Sequence, residues 1–370
     1  MTTYSAHVHR TLPHSEWDKF VGATPGGTYQ QSSLWGQVKA VVGWRAIRLV
    51  AHREGKIAGG CQLLLRSLPV AGAIAYVPRG PVMAERSGLA LEVVLNALRE
   101  VAKQERIIYL KLQPPPDGAY LAGLLQAHGF VPSDLEIAPR ATTRIDLHRS
   151  PASVLGLMHT NARRNIAKAR QIGVTVREGA ETELVMFAAL VEETARRQSF
   201  SPYPLQYYER TWRAFAAGGE VQLFIAEHEG AVLASNLVIG FGDTATYKMG
   251  AWSGTRKNVP RNELLHLVGI EWARKMGYRY HDLDDISLAA AEAVLSGGRL
   301  NARRGLERFK LGLGGEVLVF PGPYDYAVRP LMGAALRRLA PHAEGFRPLV
   351  DRILGRSRAG APVDHHPSIS

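Results

Sequence analysis

Cysteine is nearly absent: Cys61 is alone in a chain of 370 residues. That excludes an intrachain disulfide and any cysteine-based metal cluster. Long apolar runs are missing too, since stretches such as 231–241 are too short or too polar to span a bilayer. The first ten residues hold no apolar signal core. There is no Gly-x-x-x-x-Gly-Lys-Ser/Thr phosphate loop, no nucleophile elbow and no His-Glu-x-x-His helix. These absences predict a soluble, cytoplasmic protein whose chemistry uses neither metal nor organic cofactor. They favour group transfer from a donor that is already activated.

Acid is the scarcer charge, 33 Asp and Glu against 45 Lys and Arg, for a net charge of +12. Such a balance implies an anionic partner: nucleic acid, a phosphorylated substrate or a membrane surface. No RNA-binding aromatic signature or zinc-finger spacing narrows that choice. With 46% hydrophobic residues the chain is globular, and its length allows two domains with separate cores.

Taken in order, 15–22 reads as a short helix with Trp17 and Phe20 inward. Trp35 and Lys39, four apart, share one face of a second helix. Strands are expected at 44–51 and 56–65, and at 74–82 ending in the rigid Pro78-Arg79-Gly80-Pro81 loop. An amphipathic helix at 89–104 precedes a strand at 107–112 stopped by Gln113-Pro114, then a helix at 120–127 and a strand at 141–147. The second half repeats this order. Gly59-Gly60 corresponds to Ala234-Ser235, Ala75-Tyr76 to Tyr247-Lys248, helix 89–104 to 261–276, and strand 107–112 to 278–283. One unit used twice, with mixed sheets, is the α/β reading.

Between the halves, Ser150 and Pro151 open a helix whose last turns carry Arg163, Arg164, Lys168 and Arg170. That face is either solvated or turned toward nucleic acid. Asp282, Asp284 and Asp285 read as a solvated turn or helix cap rather than a divalent-ion site. The stretch 305–315 carries Phe309-Lys310 at the head of a strand-like run, followed by three glycines. Lys310 is there either a solvated strand lysine or a fixed cation in a cleft, able to stabilise an oxyanion. Residues 356–370 contain no core former and are expected to be disordered.

The segments 31–39, 77–82, 143–147 and 163–173, with Tyr207-Tyr208, Asn236, 272–277 and Phe309-Lys310, resemble the FemABX-type aminoacyl-tRNA-dependent peptidyltransferases across nearly the whole chain. The resemblance implies two tandem GNAT-like domains, at 1–150 and 151–355, without a coiled-coil arm. It implies a monomer with no integral membrane segment, open to peripheral membrane contact. The implied reaction is aminolysis of the ester joining an amino acid to tRNA, by an amine of a peptidoglycan precursor. Lys310 would stabilise the oxyanion and Phe309 would shape the donor site. Lys39 and Tyr207 would bind the acceptor, with Trp35, Arg79, Tyr203 and Arg197 as further substrate contacts, and Arg163, Arg164 and Lys168 would face tRNA.

Two positions depart from the family pattern. Tyr203 stands where an arginine is common, and Gln113 where an acid is common. A tyrosine cannot neutralise a diphosphate. Either Arg196 or Arg197 substitutes, or the acceptor carries no such group. A small amine or peptide acceptor therefore stays open. An acyl-CoA donor does too, although 253–262 has a single glycine where a pyrophosphate loop would need several.

Overall fold

The computed structural model describes residues 4–68, 72–86, 88–297 and 305–327. Two sheets carry the architecture. The first runs Tyr4–His9, Arg45–Arg53, Lys56–Leu68, Gly72–Val77, Ile107–Leu112, Tyr324–Tyr326 and Val131–Pro132, with Val82–Met83 beside Lys56–Leu68. The second runs Thr175–Gly179, Val221–His228, Ala231–Phe241, Thr244–Trp252, Tyr280–Ile286, Ala141–Asp146 and Glu316–Val319. Each begins with antiparallel strands, and each contains one parallel pair: Gly72–Val77 with Ile107–Leu112, and Thr244–Trp252 with Tyr280–Ile286. A parallel pair needs a crossover, supplied by the helices Gly88–Gln104 and Asn262–Lys275. In the first of these, Ala90, Leu91, Val94, Leu95, Leu98, Val101 and Ala102 bury one face at spacings of three and four. The α/β reading with a repeated unit is thus what the chain adopts.

Sheet membership crosses the boundary expected at residue 150. Ala141–Asp146 lies in the second sheet between Tyr280–Ile286 and Glu316–Val319, while Tyr324–Tyr326 returns to the first. A buried ion pair fastens that return: Lys111 Nζ lies 2.6 Å from Asp325 Oδ1, and the Tyr109 hydroxyl donates to the same oxygen at 2.7 Å. The halves also share a core. Trp17, Trp35 and Val38 from the first pack in one cluster with Phe187, Tyr207, Tyr208 and Phe215 from the second.

Two local expectations are corrected. Phe309-Lys310 does not open a strand; both sit on the helix Gly305–Gly312, and the strand begins only at Glu316. Leu306, Phe309, Lys310 and Leu313 follow helical spacing, and Gly314 and Gly315, at φ 84° and 108°, provide the left-handed exit. The single helix expected from Ser150 is two, Pro151–Leu157 and Thr160–Gln171, each with its own capping side chain, Ser150 and His159. The expected disordered tail at 356–370 lies outside the described residues.

Candidate active site

The helix Ser33–Ala40 begins where the Trp35 amide donates to Ser32 Oγ at 3.1 Å, and it presents Trp35 and Lys39 to the helix Leu205–Ala216. There the rings of Tyr203 and Tyr207 stack at 3.9 Å with 10° between planes. Tyr207 meets the edge of Trp35 at 6.2 Å. Lys39 Nζ lies 5.5 Å from the Tyr203 ring and 5.7 Å from that of Trp35. Burial lowers the Lys39 pKa to about 7, with repulsion from Lys248 and Arg66 adding to it.

Lys248 is brought in by a bulge. Leu237 pairs with Met249 and Val238 with Tyr247, so Lys248 is the unpaired extra residue. Its Nζ lies 5.5 Å from the Trp35 ring, 5.8 Å from the Tyr29 ring and 3.8 Å from Asp284 Oδ2. Burial acts against its charge, yet Tyr29 and the Asp284 carboxylate outweigh burial and raise its pKa above the ordinary lysine value. A second bulge places the acids: Asp282 pairs with Arg144 and Asp285 with Thr142, leaving Leu283 and Asp284 opposite Thr143. Asp284 takes a left-handed φ of 59° to make this turn.

Lys310, 5% exposed, donates from Nζ to the Asp285 carbonyl at 2.9 Å and lies 5.8 Å from the Tyr247 ring. Phe309 contacts His266 at 5.3 Å between centroids, and His266 in turn contacts Tyr247 at 4.5 Å. Burial, with His281 and Lys310 nearby, holds His266 well below the usual histidine pKa. Burial raises the Asp285 carboxyl to about 7; Asp284 pushes the same way, and Lys310, Lys248 and Arg79 oppose it. Burial likewise raises Asp282 to about 6, although its Oδ1 accepts from the Thr142 hydroxyl and from the Asp284 amide at 2.7 Å.

Contacts through Lys248 and the aspartates thus connect Lys39, Trp35, Tyr203 and Tyr207 on one side with Lys310 and Phe309 on the other. Arg79 borders this group: it is 4% exposed, donates to the Pro139 carbonyl at 2.7 Å and stacks on Phe320 at 3.9 Å. Arg197 is engaged elsewhere. It stacks on Trp252 at 4.6 Å, donates to Thr194 Oγ1 at 3.2 Å and lies 3.7 Å from Glu193. Gln113 accepts from the Tyr76 hydroxyl at 2.8 Å and donates to the Ala138 carbonyl at 3.2 Å, a neutral brace. Arg163, Arg164 and Lys168 are exposed along Thr160–Gln171, opposite the buried Ala162, Ile166 and Ala169. This helix abuts the Lys310 helix, since the His159 amide donates to the Gly312 carbonyl at 2.8 Å.

Lys248, Tyr29 and the separate roles of Asp284 and Asp285 escaped the sequence reading. A lysine inside the apolar run 244–252 was the available signal. Among the described residues, no cluster of His, Cys, Asp or Glu is arranged to hold a metal ion, and no helix is long and apolar enough to cross a membrane.

The pattern of the FemAB family matches residues 12–121 and 125–239, more than half of the sequence. The chain belongs to the FemAB family. Its relatives include the lipid II:glycine glycyltransferase of Staphylococcus aureus (strain MRSA252), 27% identical over 227 residues, or 58% of this chain and 54% of that protein. The enzyme of the same name from Staphylococcus saprophyticus is 28% identical over 223 residues, 57% of this chain and 54% of that one. This FemAB chain therefore spans about half the length of the curated relatives it matches. The crystal structure of FemX superposes with a TM-score of 0.79 at 20% identity, covering 90% of this chain and all of that one. A tandem GNAT protein from the clavulanic acid biosynthesis pathway gives 0.52 at 14% identity, covering 88% and 98%. These two likenesses establish the fold, a pair of GNAT-like units in tandem.

Proposed function

We propose that this protein transfers an amino acid from aminoacyl-tRNA to an amine of a peptidoglycan-precursor peptide, in the cytoplasm, with the acceptor bound where Lys39 and Trp35 of the first half meet Tyr203 and Tyr207 of the second, and the donor beside Lys310. The relatives named lipid II:glycine glycyltransferase support the reaction class. The observation that carries the reading is Lys310: a nearly buried lysine whose Nζ donates, among the described residues, to one carbonyl at 2.9 Å. When an amine attacks the ester carbonyl, charge gathers on the carbonyl oxygen only in the transition state. An ammonium already desolvated and oriented lowers that barrier by about 3–4 kcal/mol, the worth of one oxyanion donor. In this reading Phe309, packed against His266, provides an apolar wall for the donor. The exposed Arg163, Arg164 and Lys168, next to the Lys310 helix, suit the tRNA backbone.

One observation favours a second acceptor class. Tyr203 lies flat on Tyr207, Lys39 sits near its titration point and Lys248 is paired with Asp284, so the Tyr203 position itself offers no guanidinium for a diphosphate. A small amine or peptide acceptor in natural-product assembly fits that arrangement. The deciding experiment supplies a mixed pool of charged tRNA bearing radiolabelled amino acids, with UDP-linked or lipid-linked muropeptide, or a small amine. Labelled muropeptide that disappears when the donor is pretreated with RNase supports the cell-wall reading. Label on the small amine alone replaces the acceptor. Acyl-CoA consumption without tRNA-dependent transfer overturns the donor. Lys310→Ala is expected to lower transfer by about 10²–10³-fold while tRNA binding persists; undiminished transfer removes Lys310 from the chemistry.

A further inference from the structure

An ammonium cannot attack an ester, so the incoming amine must lose protons, and the reaction needs a group near the forming bond to take one. The site holds several titratable side chains, and the structure disposes of most of them. Gln113 is a neutral, hydrogen-bonded amide. Asp282 is occupied by the Thr142 hydroxyl and the Asp284 amide. Asp284 is paired with Lys248. His266 is 3% exposed and covered by the Tyr247 and Phe309 rings, and His281 is 1% exposed within its strand. Lys39 Nζ is taken up by the Trp35 and Tyr203 rings, at 5.7 and 5.5 Å.

Asp285 differs from all of these. It follows the bulge, it is half-buried as Asp282 and Asp284 are, and its own carbonyl holds Lys310 at 2.9 Å. Among the described residues, no hydrogen bond or ion pair takes up its carboxylate. We propose that Asp285 is the general base of the transfer, receiving the proton that the attacking amine sheds and returning it to the ribose oxygen that leaves. This rests on the aminoacyl-tRNA reading above. The accounting is complete without a further reagent. A C–N bond forms, the ester C–O bond breaks, the nitrogen proton passes to the Asp285 carboxylate, and the 2′- or 3′-hydroxyl of tRNA recovers it. Because the carbonyl of Asp285 anchors Lys310, base and oxyanion donor are held on one short segment beside the reacting carbon.

The charged groups facing Asp285 are Asp284 on its own strand, Lys248 from the neighbouring strand, Lys310 from the helix and Arg79 from its loop. Burial and Asp284 favour the protonated acid and the three cations favour the carboxylate, which leaves it poised near pH 7. The base must be ionised, so the rate is expected to rise with pH through about 7 and then level.

The test measures single-turnover transfer from charged tRNA between pH 5.5 and 9, for the wild type, Asp285→Asn, Asp285→Glu and Asp285→Ala with added formate. Melting curves and tRNA binding are recorded in parallel. Asp285→Asn is expected to lose about 10²–10⁴-fold together with the pH-dependent limb. Asp285→Glu is expected to keep part of the rate, and formate to restore some of it to Asp285→Ala. A wild-type rate and pH profile in Asp285→Asn overturns the role of Asp285 and leaves the transfer reading intact. Loss without rescue by glutamate or formate makes Asp285 a structural residue and overturns it too. Absence of any tRNA-dependent transfer by the wild type sinks both readings together.

Discussion

Lys39→Met is expected to stabilise the protein while impairing it. Lys39 titrates at about 7 instead of 10.5, because burial and the neighbouring Lys248 and Arg66 disfavour its charge. The folded state therefore binds fewer protons than the unfolded chain between about pH 7 and 10.5, and stability rises with pH across that window. Below it the full penalty applies. A shift of this size corresponds to about 4–5 kcal/mol, and at pH 7 nearly all of it is present. Methionine has a similar length and no charge, and it fits among Trp35, Tyr203 and Tyr207 without a desolvated ammonium. Denaturant unfolding at pH 6.5 and pH 9.5 reads the effect directly. The variant should gain about 2–5 kcal/mol at pH 6.5, allowing for relaxation of the native site, and clearly less at pH 9.5. Transfer should weaken through the acceptor KM, as happens where a site is strained for function. Equal or lower stability of the variant at both pH values would refute the claim that Lys39 is held in an unfavourable environment.

Two further outcomes follow from the fold and its surface. Lys111→Met leaves the Asp325 carboxylate, 4% exposed, with the Tyr109 hydroxyl but no cation, and is expected to cost about 3–5 kcal/mol in thermal or denaturant unfolding; Lys111→Met combined with Asp325→Leu should recover most of that loss. Reversing Arg163, Arg164 and Lys168 to Glu is expected to weaken tRNA binding at least tenfold and to flatten its dependence on salt, measured by filter binding at two ionic strengths. The same triple variant should unfold like the wild type, because all three side chains are exposed.

Much of the site could be read in the chain because helical spacing is a local property. Trp35 and Lys39 share a face of a helix whose start Ser32 caps. The crossover helix of the first half announces itself by seven apolar positions on one stripe. The run from Gly305 reads as a strand from its sequence and folds as a helix, since a short apolar stretch fits both periods. Packing of Lys310 against the Asp285 carbonyl settles it as a helix. Arg197 had the right charge in the right region, yet Trp252 and Thr194 claim it.

The repeated unit, most of its strands and helices, the lack of an intrachain disulfide and the excess of basic charge are legible in the chain itself. These depend on composition and on patterns spanning a few turns or strands. The crossing of Ala141–Asp146 and Tyr324–Tyr326 between the sheets emerges only on folding, because strand pairing joins residues remote in the chain. Folding also sets the two site lysines apart, lowering the pKa of Lys39 and raising that of Lys248. Lys248 and Asp284 are turned toward each other by two separate bulges, while burial, with Lys248 and Arg66 adding to it, lowers the Lys39 pKa. A pKa is set by burial and by charges brought within a few ångströms, and neither exists until the two sheets close on each other.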